Sequence, residues 1–142
     1  MKICIGADHR GYELKKFLID ALPDYDWCDV GTHSSERTDY PIYARYVCTA
    51  LIEGKAQYGV LICGSGEGMA IAANRFKGIY AALCWNKEIA CIARQDDGTN
   101  VLALPSDFIT QDQALVIFKA WIGAQFKGGR YQERLALIDQ IK

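Results

Sequence analysis

Five short apolar runs punctuate the chain: KICIGAD (2–8), DWCDVG (26–31), YGVLICG (58–64), GIYAALC (78–84) and NVLALP (100–105). Their apolar character is continuous rather than alternating, as expected of parallel strands covered on both faces. The stretches between them carry helical period. Residues 11–22 place Leu14, Phe17, Leu18 and Leu22 on one side and stop at Pro23. A second helix over 39–53 has Pro41 near its first turn and Gly54 just past its end, the usual asymmetry of helix termini, with Tyr43, Val47, Ala50 and Leu51 as its buried stripe. Helices follow at 67–77, 86–95 and 110–125, the last opened by the capping-box pattern Thr110-x-x-Gln113. The KGG of 127–129 then breaks the chain before a final helix over 130–141.

Strands alternating with helices in this way predict an α/β fold: a five-stranded parallel sheet with helices on both faces, because each crossover returns the chain to the same end of the sheet. Ligands of such folds collect at the carboxyl ends of the strands. That rule selects ADHRG, GTHSSERTDY, CGSGEG, CWN and the loop after 104 as site walls. With 142 residues, 51% apolar and 23% charged, one domain over 1–142 is expected. Sixteen Lys and Arg against 17 Asp and Glu leave a net charge of −1, which gives no global reason to expect nucleic acid or an anionic membrane as partner. The N-terminal MKICIGADHRGYELKK lacks the long apolar segment of a signal peptide or membrane span, so a cytoplasmic location is expected. The six cysteines form no C-x-x-C pair; all but Cys63 are expected to be reduced core residues.

The segment CGSGEGMAIAANR (63–75) concentrates the candidate chemistry. It fails the dinucleotide fingerprint, since Met69 stands where the third small residue belongs, and no G-x-x-x-x-G-K-[ST] exists anywhere in the chain. What remains is a run of glycines whose backbone amides can form an anion-stabilising nest for a phosphate or a reaction oxyanion. Cys63 ends the third strand beside that nest, either as the last buried residue of a strand or as a thiolate base. Glu67 is either ordinary first-turn dipole complementarity or a second carboxylate of the same cavity. Arg130 and Arg134 stand one turn apart at the start of the last helix, where the dipole disfavours positive charge, so a bound anion would account for them as well as a solvated pair would. Asp96 and Asp97 carry the wrong sign for a helix C-terminus, although DDG is also a good turn sequence. Asp8 and His9 end the first strand, where a ligand is expected.

Taken together, GADHRGYELK, GTHSSERTDYP, ICGSGEGMAIAANRFKGIYAALC, TNVLAL and AWIGAQFKGGRYQER resemble the type B ribose-5-phosphate isomerase family, which includes allose- and galactose-6-phosphate isomerases. The likeness spans essentially the whole chain. It implies a Rossmann-like three-layer sandwich, aldose–ketose isomerisation of a sugar phosphate without metal or other cofactor, and a homodimer or homotetramer whose sites draw on two subunits. It further implies that Cys63 is the base, the amides of residues 64–68 (with Gly64, Gly66 and Gly68) the oxyanion nest, and Ser65 a hydroxyl for the reacting oxygens. Asp8, His9 and Tyr40 would hold the sugar or assist ring opening, and Arg130 and Arg134 would grip the phosphate. Three departures stand out. Asp96-Asp97 replaces the family's usual His-Asn, whose histidine serves in ring opening; Asp107 replaces a phosphate-binding arginine; Tyr131 replaces a histidine. Ribose 5-phosphate is the modal substrate, with a six-carbon sugar phosphate or a non-catalytic sugar-binding role as alternatives.

Overall fold

Each apolar run becomes a strand of one parallel sheet. The computed structural model describes all 142 residues, in the order β1 (Lys2–Ala7), α1 (Tyr12–Ala21), β2 (Asp26–Asp29), α2 (Tyr40–Ile52), β3 (Tyr58–Cys63), α3 (Glu67–Ala73), β4 (Ala81–Leu83), α4 (Lys87–Gln95), β5 (Val101–Pro105), α5 (Gln111–Gly123) and α6 (Arg130–Asp139). The strand order is β2-β1-β3-β5-β4, all parallel. No helix is long and apolar enough to cross a membrane.

The sheet separates two apolar layers. Ile3, Ile5, Val60, Ile62, Leu102 and Leu104 point toward α1, α4 and α5, where Leu18, Ile117, Phe118 and Trp121 meet them. The residues between, Cys4, Leu61, Cys63, Val101 and Ala103, point toward α2 and α3 and pack on Val47, Cys48 and Met69. This period of two across buried strands is why the runs read as continuously apolar.

Several boundaries differ from the sequence reading, each for a local reason. β4 is three residues rather than seven, because Gly78 adopts φ +87° and turns the chain, and the Tyr80 N–H is taken by the Asn100 side chain while only its carbonyl meets the Val101 N–H of β5. The helix expected over 67–77 stops at Ala73, where Asn74 leaves it to pair with β4: its amide donates to the Ala81 carbonyl at 2.9 Å and accepts from the Ala81 N–H at 2.8 Å. The buried residues of α2 are Ala44, Val47 and Cys48, with Tyr43, Ala50 and Leu51 only packed at the margin. Cys28 and Cys91 are partly exposed rather than core residues, and all six thiols are free. The capping box on Thr110 and Gln113 forms as expected.

Lys15 was not anticipated as buried. It is 1% exposed and directs its ammonium onto Asp29, 2.6 and 2.7 Å from the two carboxylate oxygens, locking α1 to the end of β2. The partners are unequal, since the Asp29 side chain remains about a third exposed. Removing Asp29 strands a buried cation, whereas removing Lys15 leaves a carboxylate that water can reach. Asp29→Ala is therefore expected to destabilise the fold by about 3 kcal/mol and Lys15→Met by about 1 kcal/mol or less. Urea denaturation midpoints of the two variants would check the order, and equal losses would refute this account of the pair.

Candidate active site

The chain leaves β1 for β2 on one side and returns past it to β3, so the crevice of this doubly wound sheet opens between the carboxyl ends of β1 and β3. Ala7 pairs with Ile62, and the Asp8 N–H extends the ladder by donating to the Ile62 carbonyl at 3.2 Å. Asp8 and Cys63 thus come out side by side at the mouth of the crevice, at the strand spacing of about 4.8 Å. Both are nearly covered, each 5% exposed. The Cys63 side chain packs in the layer beneath α2 and α3, with a narrow opening to solvent.

Around this pair the loops are held by their own hydrogen bonds. Asp8 Oδ1 accepts from the Arg10 and Gly11 amides at 3.0 and 3.1 Å, which starts α1 and leaves Oδ2 for a ligand. The ring of His9 reaches across to the 31–39 loop, where its Nδ1 lies 3.2 Å from both the nitrogen and the carbonyl oxygen of Thr38, leaving Nε2 facing outward from that contact. Thr38 in turn bonds the Tyr43 hydroxyl at 2.9 Å. The Cys63 carbonyl is fixed by the Ser106 N–H at 3.0 Å, and the single proton of the Ser106 hydroxyl is shared between that carbonyl, at 3.0 Å, and the Arg10 carbonyl, at 2.9 Å.

The glycine-rich turn is built by close approach. Gly66 sits at φ +74°, and a Cβ there would meet Leu83 at 2.6 Å. A Cβ at Gly68 would stand 2.6 Å from the Tyr40 ring, so the aromatic ring lies directly on that backbone. A Cβ at Gly64 would stand 2.6 Å from the Arg10 guanidinium carbon. Ser65 Oγ accepts from the Glu67 N–H at 3.2 Å, while the Glu67 carboxylate is exposed. Beside the turn, Ser65, Glu67, Leu83, Trp85, Pro105 and Phe108 line a cleft of about 280 Å³. The largest cavity, about 700 Å³, lies elsewhere, between residues 74–80 and the end of α6, and contains none of the residues singled out in the sequence.

The structure therefore brings together Asp8, His9, Tyr40, Cys63, Gly64, Ser65, Gly66, Glu67 and Gly68. It does not bring Asp96, Asp97, Arg130 or Arg134 to them. α4 runs back along the sheet and ends just before β5 begins, so Asp96 and Asp97 lie at the amino ends of the strands, separated from Cys63 by the length of β5, roughly 13 Å at 3.3 Å per residue. α6 starts at that same end, where the Lys127 N–H bonds the Gln95 carbonyl. The crossover geometry thus puts Asp96 and Asp97, which carry the wrong sign for a helix C-terminus, at the opposite pole of the chain from Cys63.

That pole is itself organised. Asp96 Oδ1 lies 3.1 Å from the Lys127 ammonium, an ion pair not aligned as a hydrogen bond. Lys127, Arg130 and Arg134 all lie over the Tyr131 ring, 5.6, 5.2 and 5.5 Å from its centre. The pKa of Arg130 is raised, first by its contact with the Tyr131 hydroxyl and last by the charge of Asp96. Three exposed cations gathered on one ring repel one another, and an anion between them would relieve that repulsion.

Among the other thiols, burial pushes Cys4, Cys48 and Cys84 up to about 12, so each stays protonated near neutral pH and has no role as a base. What sequence reasoning missed is a pair at the crevice: the Arg10 guanidinium donates to Asp107, whose own N–H bonds the Gly64 carbonyl at 3.0 Å. Arg10 was visible inside ADHRG at a strand's carboxyl end, but its partner lies 97 positions away.

Comparison with known proteins agrees with this architecture. Residues 3–138 match the model of the Ribose/Galactose Isomerase family. Ribose-5-phosphate isomerase B of Escherichia coli is 45% identical over 143 residues, covering 99% of this chain and 96% of that protein. The crystal structure of a ribose 5-phosphate isomerase from Thermotoga maritima superposes with a TM-score of 0.97 at 39% identity, covering 99% and 98% of the two chains. Ribose-5-phosphate isomerase B from Mycoplasma genitalium with bound ribulose-5-phosphate superposes at 0.94 with 36% identity, covering 98% and 94%. With the family model spanning nearly the whole chain and the sheet order, crevice and glycine-rich turn in place, the chain belongs to the ribose/galactose isomerase family.

Proposed function

We propose that this protein is a metal-independent aldose–ketose isomerase that interconverts ribose 5-phosphate and ribulose 5-phosphate in the cytoplasm. The observation that carries this reading is the placement of Cys63 beside Asp8 at the topological switch of the sheet, in a chain 45% identical along its length to a ribose-5-phosphate isomerase B. The Cys63 thiolate takes the proton from C2 of the open-chain aldose, and the thiol, exchanging with solvent while the enediolate lasts, delivers a proton to C1. The O2 hydroxyl proton passes to O1 through the Ser65 hydroxyl, so the carbonyl moves from C1 to C2, and the oxygen of the intervening enediolate is held by that hydroxyl and by the amides of the 64–68 turn other than Glu67, whose N–H is donated to Ser65 Oγ. His9, Tyr40 and the free oxygen of Asp8 orient the sugar, and Glu67 lies near enough to the turn to be tested as a second base.

The remaining groups come from a second copy of the chain. Asp96 would shuttle the ring-opening proton, Asp97 would bind the sugar, and Arg130 and Arg134 would grip the phosphate. Two observations support this division: those residues sit at the opposite pole of the same fold, and Arg130 and Arg134 crowd onto Tyr131 beside Lys127, with the one carboxylate paired in that cluster, Asp96, held by Lys127. On this reading residues 1–142 form one isomerase unit, with α6 at the subunit interface of a homodimer or homotetramer. The carboxylates at 96, 97 and 107 favour a second reading on the substrate side, a six-carbon sugar phosphate turned over by the same proton transfer.

Incubation with a panel of aldose phosphates in deuterated water tests the reaction directly. Deuterium is expected at the exchanging carbon of ribose 5-phosphate, and its absence from every sugar of the panel would refute the isomerase reading. Cys63→Ala is expected to lower kcat by about 10²–10⁴-fold, whereas Glu67→Gln is expected to keep most of the activity; the reverse pattern would move the base to Glu67.

Subunit exchange tests the shared site. Cys63→Ala and Arg134→Ala, each weakly active alone, are expected to regain about a quarter of wild-type activity when mixed after reversible dissociation, because one of the two sites in a mixed dimer is intact and half of the dimers are mixed. No recovery from demonstrably exchanged subunits would place all the residues within one chain's site.

A further inference from the structure

We propose that Arg10 is the cation with which the crevice end of this chain binds the substrate phosphate, offsetting the carboxylate that Asp107 places there. The inference rests on the sugar-phosphate reading above and adds to it a contact from the subunit that carries Cys63. Three observations lead to it.

The first is position. The guanidinium lies over the Gly64 backbone, next in sequence to Cys63, close enough that any side chain at 64 would strike it. The second is depth. Cys63 and Asp8 are each 5% exposed, whereas the Arg10 side chain is 58% exposed, so a sugar with its reacting carbons at the thiol presents its far, charged end to the rim where Arg10 stands.

The third is donor capacity. Only Nη2 is engaged, by Asp107, while Nε and Nη1 lie above Gly64 with no protein acceptor. A guanidinium offers five N–H donors in a planar fork, enough to keep one carboxylate and still clasp a phosphate. Asp107 is held in turn by its N–H to the Gly64 carbonyl, and Ser106 by its hydroxyl to the Arg10 carbonyl at 2.9 Å. The loop after β5 thereby fixes where the guanidinium lies. The carboxylate orients Arg10 and also opposes the incoming dianion, so the two residues act on phosphate affinity with opposite sign.

Steady-state kinetics of Arg10→Ala, Arg10→Lys and Asp107→Asn, on whichever sugar phosphate of the panel is turned over, provides the test. Arg10→Ala is expected to raise KM by about 10–100-fold with kcat within about threefold of wild type. Arg10→Lys should recover part of the loss, and Asp107→Asn should lower KM severalfold. The unphosphorylated sugar should show no dependence on Arg10.

A purely structural ion pair predicts otherwise. Both Arg10→Ala and Asp107→Asn break the same contact, so KM would move in the same direction in both and track their thermal midpoints; that result, or an unchanged KM in Arg10→Ala, overturns the proposal. Calorimetric titration with inorganic phosphate separates the two levels of inference. Phosphate binding that depends on Arg10 in a protein turning over no sugar phosphate would sink the isomerase reading alone. Turnover indifferent to Arg10 would sink this inference alone.

Discussion

The parallel ladder between β1 and β3 runs from Ile3 opposite Tyr58 to Ala7 opposite Ile62, and the Asp8 amide adds one more rung. Because side chains alternate across a strand, this register decides both which face receives Cys63 and which neighbour it has. A slip of one residue in β3 would turn the thiol toward α1 and α5 and put Ile62 beneath the glycine-rich turn. The buried layers prevent it, since the same slip would exchange Leu61 for Ile62 in two closely packed interiors. The core thus does more than stabilise the sheet: it holds the thiol, the carboxylate of Asp8 and the turn at 64–68 in one relation.

Charge is distributed with similar economy. At the crevice, Asp8 is bound by two backbone amides and Asp107 by a guanidinium. At the far pole, Asp96 faces Lys127, and Arg130 and Arg134 share the face of Tyr131. The carboxylates at 96 and 107 therefore come with cations of this chain set against them. The acidic residues do not leave either pole uniformly negative.

The element order, the parallel sheet and the carboxyl-end loops were legible because continuous apolar runs and helical period are properties of short windows, and the rule for ligand placement needs only their order. Asp8, His9 and the turn at 63–68 lie on such loops and could be picked out one by one. Asp96, Asp97, Arg130 and Arg134 were noticed through charge at helix ends, which says nothing about which end of a sheet those helices occupy. Following α4 from the close of β4 to the start of β5 supplies that information. Lys15 escaped notice because burial of a lysine depends on Asp29, a partner on another element. The shortening of β4 and α3 was hidden because Asn74 and Asn100 act through side-chain bonds to the backbone of Ala81 and Tyr80, which neither apolar runs nor helical period reports.

Asn74 also carries a consequence for how such molecules keep apart. β4 is the outermost strand on its side, and an uncovered border of that kind invites a foreign chain to dock by backbone pairing. By occupying both the N–H and the carbonyl of Ala81, the asparagine amide acts as a one-residue false strand that ends the sheet. Growth by strand addition is blunted there, which leaves helices and loops as the surfaces through which copies of the protein can meet without polymerising.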